Sequence, residues 1–138
     1  MNNEKYKGAV AIVMRNPQGL IYLSLRKNTE TWNDCYAFAG GRVDFDDPSP
    51  KFAAHREIFE ETELYIPTYR FQLIWEGSTE TAEPEHIYMI ELTEFEIPQN
   101  TEPDKHDPWK LYTIEEARKL KVIPLMLEIF DVIEKNNL

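Results

Sequence analysis

The sequence of 138 residues contains a single cysteine, Cys35. No disulfide can form within one such chain, so the fold has to be held by a packed core instead of covalent links. A lone cysteine fits a protein kept in a reducing compartment. Cys35 has no histidine close by in sequence, which favours a buried structural thiol over a nucleophile.

Basic residues are also scarce. Fifteen Lys and Arg stand against 25 Asp and Glu, which gives a net charge of −10 and a pI near 4.8. Such a chain lacks the basic footprint that binds the phosphates of DNA, RNA or anionic lipid, so we expect neither a nucleic acid polymer nor a membrane as partner. A small anionic substrate stays compatible, because a bound metal ion reverses the local sign of charge.

Long hydrophobic runs are missing as well. The longest, residues 9–14, is far shorter than the roughly 20 apolar residues that cross a bilayer, and the polar N-terminus does not resemble a secretion signal. We therefore expect a soluble cytoplasmic protein, monomeric or homodimeric. The 42% of hydrophobic residues suffices for a core, and the length predicts one domain over residues 1–138.

The apolar segments and turn signals predict a mixed sheet. Short apolar runs rich in β-branched or aromatic residues predict strands at residues 9–14, 20–25, 36–38, 71–76, 86–95 and 109–112. Residues 77–85 and the acidic, proline-bearing segment 98–108 are expected to be loops. Helical patterns predict three helices, at residues 50–63, from Thr113, and at residues 125–135. This order predicts an α/β fold in which a mixed β-sheet lies between helices, an α/β/α sandwich.

The first predicted helix has a well-marked start. Ser49 is a suitable N-cap, and Pro50 is pre-organised for the first helical position. Gly40 and Gly41, a few residues upstream, predict a turn at which the backbone can approach another element closely.

Three carboxylates on this helix indicate a metal site. Glu57, Glu60 and Glu61 follow i, i+3, i+4 spacing and share one face, where like charges repel by a few tenths of a kcal/mol per pair. A hard divalent cation with oxygen ligands would remove that repulsion. The alternative is a solvated acidic face, which arises by chance in so acidic a chain. The adjacent glycine pair and acidic loop favour the metal site.

Residues 40–64, GGRVDFDDPSPKFAAHREIFEETEL, resemble the signature of the Nudix hydrolase family, GX5EX7REUXEEXGU, in which U is apolar. The matching positions are Gly41, Arg56, Glu57, Ile58, Glu60, Glu61 and Leu64. The family fold is an α/β/α sandwich, in agreement with the pattern above.

Three departures from the signature stand out. The spacing from Gly41 to Arg56 is one residue longer, and an Asp replaces the loop Glu, Asp47 or alternatively Asp46. This combination resembles the coenzyme A diphosphatase branch of the family. Glu63 occupies the place of the last glycine, and a glutamate is not expected to adopt the left-handed cap that glycine provides.

The resemblance implies hydrolysis of a phosphoanhydride bond in a nucleoside diphosphate derivative, with Mg²⁺ or Mn²⁺ as cofactor. It implies a metal site formed by the Gly40 carbonyl, Glu57, Glu60 and Glu61. Arg56 would complete the catalytic set by positioning a glutamate, most plausibly Glu60.

The remaining implied residues bind substrate or assist catalysis. Gly41 and Arg26 are the candidates for substrate binding, although Arg26 is equally consistent with an ordinary exposed charge at a strand end. Asp47 could assist through a contact behind the metal ligands.

The general base is either a signature glutamate or an acid of the distal loop, where Glu102, Asp104 and Asp107 lie. His106 is interpreted as a solvated histidine beside these acids. For the substrate, a (d)NTP or related nucleotide fits a small domain with short loops. Coenzyme A or a dinucleotide is an alternative, and a non-catalytic nucleotide-sensing module is another.

Overall fold

The computed structural model describes residues 6–78 and 84–138. Within these ranges the chain forms seven strands: β1 Tyr6–Arg15, β2 Ile21–Leu25, β3 Tyr36–Ala37, β4 Ala39–Asp44, β5 Gln72–Ser78, β6 Pro84–Glu91 and β7 Lys110–Tyr112. It also forms the helices α1 Pro50–Thr62, α2 Ile114–Arg118 and α3 Leu125–Lys135, and a 3₁₀ turn at Thr68–Arg70. No helix in these ranges is long and apolar enough to cross a membrane.

Strand β1 organises the sheet. It runs parallel to β6, with Ala9 opposite Glu85, and antiparallel to β4, with Ala9 opposite Arg42. Its end pairs with β2 through a hairpin at Arg15. Strand β5 flanks β6 on one side, whereas β3 and β7 flank β2 on the other. The sheet is therefore mixed, as predicted.

The two faces of the sheet carry separate cores, which follows from the alternation of side chains along a strand. One face packs on Ala53, Ala54 and Ile58 of α1 through the sheet residues Val10, Ile12, Met14, Tyr88 and Ile90. The opposite face packs on α2 and α3 through Val13, Ile87, Met89, Ala117, Met126, Ile129, Phe130 and Ile133. Helices thus cover both faces, and the α/β/α prediction is confirmed.

Local signals predicted the helix starts well. Ser49 caps α1 by accepting from the Phe52 backbone N–H at 3.1 Å, and Thr113 with Glu116 forms the expected capping box of α2. The predicted loop at residues 77–85 was too long. Its ends belong to β5 and β6, and residues 79–83 lie outside the described part of the chain.

The expectation of a turn at Gly40 and Gly41 was wrong, because both residues lie inside strand β4. The two glycines instead allow neighbouring groups to lie close to the backbone of β4. A Cβ at Gly40 would lie 2.4 Å from the Val10 carbonyl oxygen, and a Cβ at Gly41 would lie 2.3 Å from the Glu57 carboxylate. A side chain at Gly40 would collide with the backbone of β1, whereas a side chain at Gly41 would displace the Glu57 carboxylate.

The expectation for Glu63 was wrong as well. This residue ends α1 in the left-handed conformation, with φ 64° and ψ 13°, and its N–H donates to the Phe59 carbonyl. The chain has to turn sharply here because Ile66, three residues later, is buried beneath the helix. Packing imposes the cap that glycine would have supplied without strain.

We predict that Glu63→Gly raises the free energy of unfolding by about 0.5–1 kcal/mol, since glycine relieves left-handed strain but adds entropy to the unfolded chain. Urea unfolding at fixed pH measures the change. Glu63→Ala removes the same charge while keeping a Cβ, so it should give no gain. An equal gain in both variants would contradict strain as the cause.

Candidate functional site

A salt bridge anchors the loop before α1 to the helix itself. The Arg56 Nε lies 3.1 Å from Asp47 Oδ1, and its Nη2 lies 2.8 Å from Asp47 Oδ2. Asp47 is only 4% exposed and also accepts from the Asp44 backbone N–H at 2.8 Å. The hydrogen bond with Asp47 is the main reason that the pKa of Arg56 is raised. The longer spacing therefore still brings Asp47 onto Arg56.

The same guanidinium reaches the glutamates of the helix. Arg56 Nη1 donates to Glu60 Oε1 at 2.9 Å, the contact that was expected, and to Glu57 Oε2 at 3.2 Å. The two acids differ in environment, because the Glu60 side chain is 54% exposed and that of Glu57 is 15% exposed. Glu60 thus lies on the flank of the site, and Glu57 lies inside it.

Glu57 and Glu61 form a pair of buried carboxyl groups. They lie one helical turn apart on α1, and Glu61 accepts from the Gly40 backbone N–H at 3.1 Å. Burial raises the pKa of Glu57 to about 7 against the pull of Arg56, and burial together with the Glu57 charge raises the pKa of Glu61 well above its usual range. Burial and the charge of a neighbouring acid both disfavour the ionised form, which is why the pKa of each glutamate is raised.

The distal loop brings a third carboxylate and a histidine to this pair. One ligand atom each from Glu61, Glu102 and His106 lie within 4.8 Å of one another. The loop is fixed on both sides: Thr101 Oγ1 donates to the Glu60 carbonyl of α1 at 2.7 Å, and the Lys27 N–H beyond β2 donates to the Lys105 carbonyl at 2.8 Å.

The other two acids of this loop point elsewhere. Asp104 is exposed, and its carbonyl accepts from Asn28 Nδ2 at 3.0 Å. Asp107 pairs with Lys27 at 3.0 Å. Of the distal-loop acids named as candidate bases, Glu102 is the one placed beside the helix glutamates.

The interpretation of His106 as a solvated histidine was wrong. Its side chain is 7% exposed, packs against the ring of Trp109 at 5.0 Å, and places Nδ1 2.7 Å from Ser24 Oγ. The loop folds back onto β2, which sequence spacing does not reveal. A signal was present in Ser24, a serine at the end of an otherwise apolar, buried strand.

These groups line a polar cavity of about 570 Å³. Three cations, Arg26, Arg42 and Lys105, contribute to its walls together with Glu57, Glu61, Glu102 and His106. Arg26 lies in this lining: its Nη2 donates to the Thr31 carbonyl at 3.1 Å, and its Nε is buried with no partner among the described residues. Sequence reasoning missed Arg42 and Lys105.

A second, smaller cavity of about 270 Å³ adjoins the first and shares Gly40, Gly41, Arg26 and Arg42 with it. Its remaining lining is largely apolar and includes Ala11, Trp32, Phe38, Ile87, Met126 and Ile129. The site thus combines a charged compartment with an apolar one, the usual composition of a small-molecule site.

The donor set fits a divalent cation. Glu57 and Glu61 are buried carboxyl groups beside the Gly40 backbone, and the absence of a side chain at Gly41 leaves the space that the Glu57 carboxylate fills. Oxygen ligands of this kind suit Mg²⁺ or Mn²⁺. Glu60 does not belong to the cavity lining as far as the described residues define it.

The sequence matches the NUDIX domain family over residues 5–132. The chain belongs to the Nudix family. Members of this family are metal-dependent, and this protein is a hydrolase of phosphoanhydride bonds. Helix α1 carries Arg56, Glu57, Glu60 and Glu61, the charged residues of the family signature.

Solved structures share the Nudix fold. The MutT protein from Methanosarcina mazei Go1 superposes with a TM-score of 0.76 at 18% identity, covering 99% of both chains. An Ap4A hydrolase from C. elegans gives 0.67 at 20% identity, covering 94% of this chain and 95% of that chain. The NUDIX domain of Shewanella oneidensis NrtR, solved with ADP ribose, gives 0.69 at 12% identity, covering 94% and 87%. At these identities the likeness establishes the fold alone.

We predict that Asp47→Asn lowers the free energy of unfolding by roughly 2–4 kcal/mol, because it leaves the Arg56 charge without its buried partner. The matched control is Asp46→Asn, an exposed neighbour that should change stability by no more than about 0.5 kcal/mol. Denaturant unfolding measures both. Similar small effects for the two variants would contradict the anchoring role of Asp47.

The raised pKa of Glu57 predicts a pH-dependent gain in stability for Glu57→Gln in the metal-free protein. Below pH 4.5 the acid is protonated in both folded and unfolded chains, so it costs nothing. Between pH 4.5 and about 7 the unfolded chain ionises more readily, and the folded state loses stability. At pH 8 the variant should therefore exceed the wild type by roughly 1–3 kcal/mol.

Thermal and urea unfolding in EDTA at pH 5 and pH 8 measure this difference, with exposed Glu63→Gln as the control. A difference that stays constant with pH would refute the role of burial. Saturating Mg²⁺ should shrink the gap at pH 8, since the ion stabilises the ionised wild type.

Proposed function

We propose that this protein is a Mg²⁺-dependent pyrophosphohydrolase of a (d)NTP or related nucleotide, with Mn²⁺ as a substitute ion. The observation that carries the proposal is the placement of Glu57 and Glu61 together in one cavity whose lining also contains cations. A divalent ion would stabilise the two carboxylates in their ionised form, and the cavity cations favour a polyphosphate.

Glu57, Glu61 and the Gly40 carbonyl would hold the ion. When bound, it would polarise phosphoryl oxygens and orient a water molecule. Glu60 belongs to the ligand set by family resemblance, and its hydrogen bond with Arg56 supports a positioning role for that arginine. Arg56 also keeps Glu57 in place through its second contact.

The substrate would lie across the two cavities. Arg26 and Arg42 line both compartments, so phosphates at the junction would meet two guanidinium groups, which bind phosphate well. Gly41 would let the ligand approach the strand closely. The apolar compartment, with Trp32 and Phe38, suits a nucleobase.

The distal loop would contribute Glu102. Its carboxylate adjoins Glu61, whereas Asp104 lies at the surface. The loop's part in holding a cation or accepting a proton therefore falls to Glu102. Asp47 would act only indirectly, through Arg56.

Several expectations from composition stay predictions: one domain over residues 1–138, a cytoplasmic location, a monomeric or homodimeric state, and no nucleic acid polymer or membrane as partner. They concern where the protein works and with what it associates, and the proposed reaction does not depend on them.

The decisive experiment separates and identifies the products formed from a panel of nucleotides with Mg²⁺, with Mn²⁺ and with EDTA. A (d)NTP releases pyrophosphate or phosphate, whereas coenzyme A, a dinucleotide or ADP-ribose splits into two phosphorylated fragments with no free inorganic ion. The panel contains (d)NTPs, coenzyme A, dinucleotide polyphosphates and ADP-ribose. We expect turnover of (d)NTPs that EDTA abolishes. Preferred cleavage of coenzyme A or a dinucleotide would favour the alternative that the longer spacing suggests. Nucleotide-dependent thermal stabilisation without turnover would indicate a sensing module.

Substitutions locate the reaction. Glu57→Gln and Glu61→Gln should each lower kcat/KM by roughly a hundredfold or more, because they remove ionised oxygen ligands. Glu63→Gln is the matched control on the same helix and should keep wild-type activity. A Glu60→Gln variant with full activity would remove Glu60 from the site.

A further inference from the structure

We propose that His106 is itself a ligand of a divalent cation held with Glu61 and Glu102. This end of the cavity would then be a mixed nitrogen–oxygen site that binds Mn²⁺, Co²⁺ or Zn²⁺ in preference to Mg²⁺. The inference deepens the proposed function and shares Glu61 with it.

The first argument is the arrangement of the three side chains. A ring nitrogen of His106 and one carboxylate oxygen each from Glu61 and Glu102 lie within 4.8 Å of one another. The backbone fixes this spacing, since the His106 N–H donates to the Glu102 carbonyl at 3.2 Å and Asn100 Nδ2 donates to the His106 carbonyl at 2.9 Å. The loop therefore presents both side chains together.

The second argument is the tautomer of His106. The carbonyl of Asp107 lies 2.9 Å from Nδ1 and can only accept, so Nδ1 must carry a hydrogen. Ser24 agrees: its hydroxyl donates to the same carbonyl, which leaves an oxygen lone pair facing Nδ1 at 2.7 Å. In the neutral ring the lone pair then resides on Nε2, the atom that metals use when Nδ1–H is held by a carbonyl.

The third argument is the state of Nε2. It is buried and has no hydrogen-bond partner among the described residues. A buried polar atom left unpaired is unfavourable, and this ring has one nitrogen within 4.8 Å of a carboxylate oxygen of both Glu61 and Glu102. A cation among the three groups would satisfy all of them at once.

The ligand chemistry determines the choice of ion. Mg²⁺ prefers oxygen ligands and gives up water reluctantly. Imidazole nitrogen suits Zn²⁺ well, and affinity for mixed nitrogen–oxygen sites rises from Mn²⁺ to Co²⁺. Mn²⁺ takes the same oxygen ligands as Mg²⁺, but as a transition metal it also binds imidazole more strongly than Mg²⁺ does. A site of two carboxylates and one imidazole should therefore discriminate against Mg²⁺, in contrast to the oxygen ligands contributed by Glu57 and Gly40.

The test uses the full chain without nucleotide. Chelator-treated protein is titrated with Mn²⁺ to saturation, and pulsed EPR records coupling of the ion to nitrogen. Of the three histidines in the sequence, His86 lies beside Glu76 on the neighbouring strand and provides the matched control. We expect nitrogen coupling in the wild type and in His86→Gln, and its loss in His106→Gln.

Calorimetry gives the second readout. His106→Gln should weaken Mn²⁺ binding at this site by roughly tenfold or more, while the affinity for Mg²⁺ changes less than about twofold. Missing nitrogen coupling in the wild type, coupling that survives in His106→Gln, or equal losses for the two ions would overturn the proposal.

Nitrogen NMR of the metal-free wild type gives a test that needs no variant, so it remains valid if His106→Gln fails to fold. A protonated Nε2 at pH 7.5 would mean that His106 donates to a carboxylate as an imidazolium, and the proposal would be wrong. Because no nucleotide is present, these results are independent of turnover. A protein that binds Mn²⁺ through His106 but hydrolyses nothing would refute only the proposed function.

Discussion

The close approach of helix α1 to strand β4 is the constraint on which the rest of the site depends. Gly41 leaves the space that the Glu57 carboxylate fills, since a Cβ there would lie 2.3 Å from that carboxylate, and Gly40 lets β4 lie close to β1, since a Cβ there would lie 2.4 Å from the Val10 carbonyl oxygen. The approach buries Glu57 and supplies Glu61 with a backbone N–H from the strand. Metal-binding character therefore arises from how two elements pack and not from the helix alone.

This packing raises the pKa of both glutamates, so at pH 8 we expect the metal-free protein to be less stable than a variant with neutral side chains there. Burial penalises the ionised form of each acid, and the two acids repel each other. Arg56 stabilises the ionised form of Glu57 by donating to its carboxylate. Asp47 in turn accepts from Arg56 and holds it in place. The carboxyl groups of the site therefore lower the free energy of unfolding of the metal-free protein. Binding of a cation to the folded state would raise it again.

The sequence predicted those features that depend on near neighbours. Ser49 and the capping box at Thr113 are local signals, and a short apolar run rich in β-branched residues identified the central strand. Three features escaped prediction because they depend on distant residues. Gly41 is required by Glu57 across a helix–strand contact, and Glu63 is forced into a left-handed cap by packing further along. His106 is buried by a strand more than 80 residues earlier, through Ser24.

The parts of the site also differ in what the solved Nudix structures can say about them. The fold shared at 12–20% identity concerns the layers and not the side chains of a loop. Here hydrogen bonds tie the distal loop to α1 and to the chain beyond β2, which places Glu102 and His106 beside Glu61. Under the two proposals above, the reaction would depend on the helix and strand, and the choice of ion would depend on the loop.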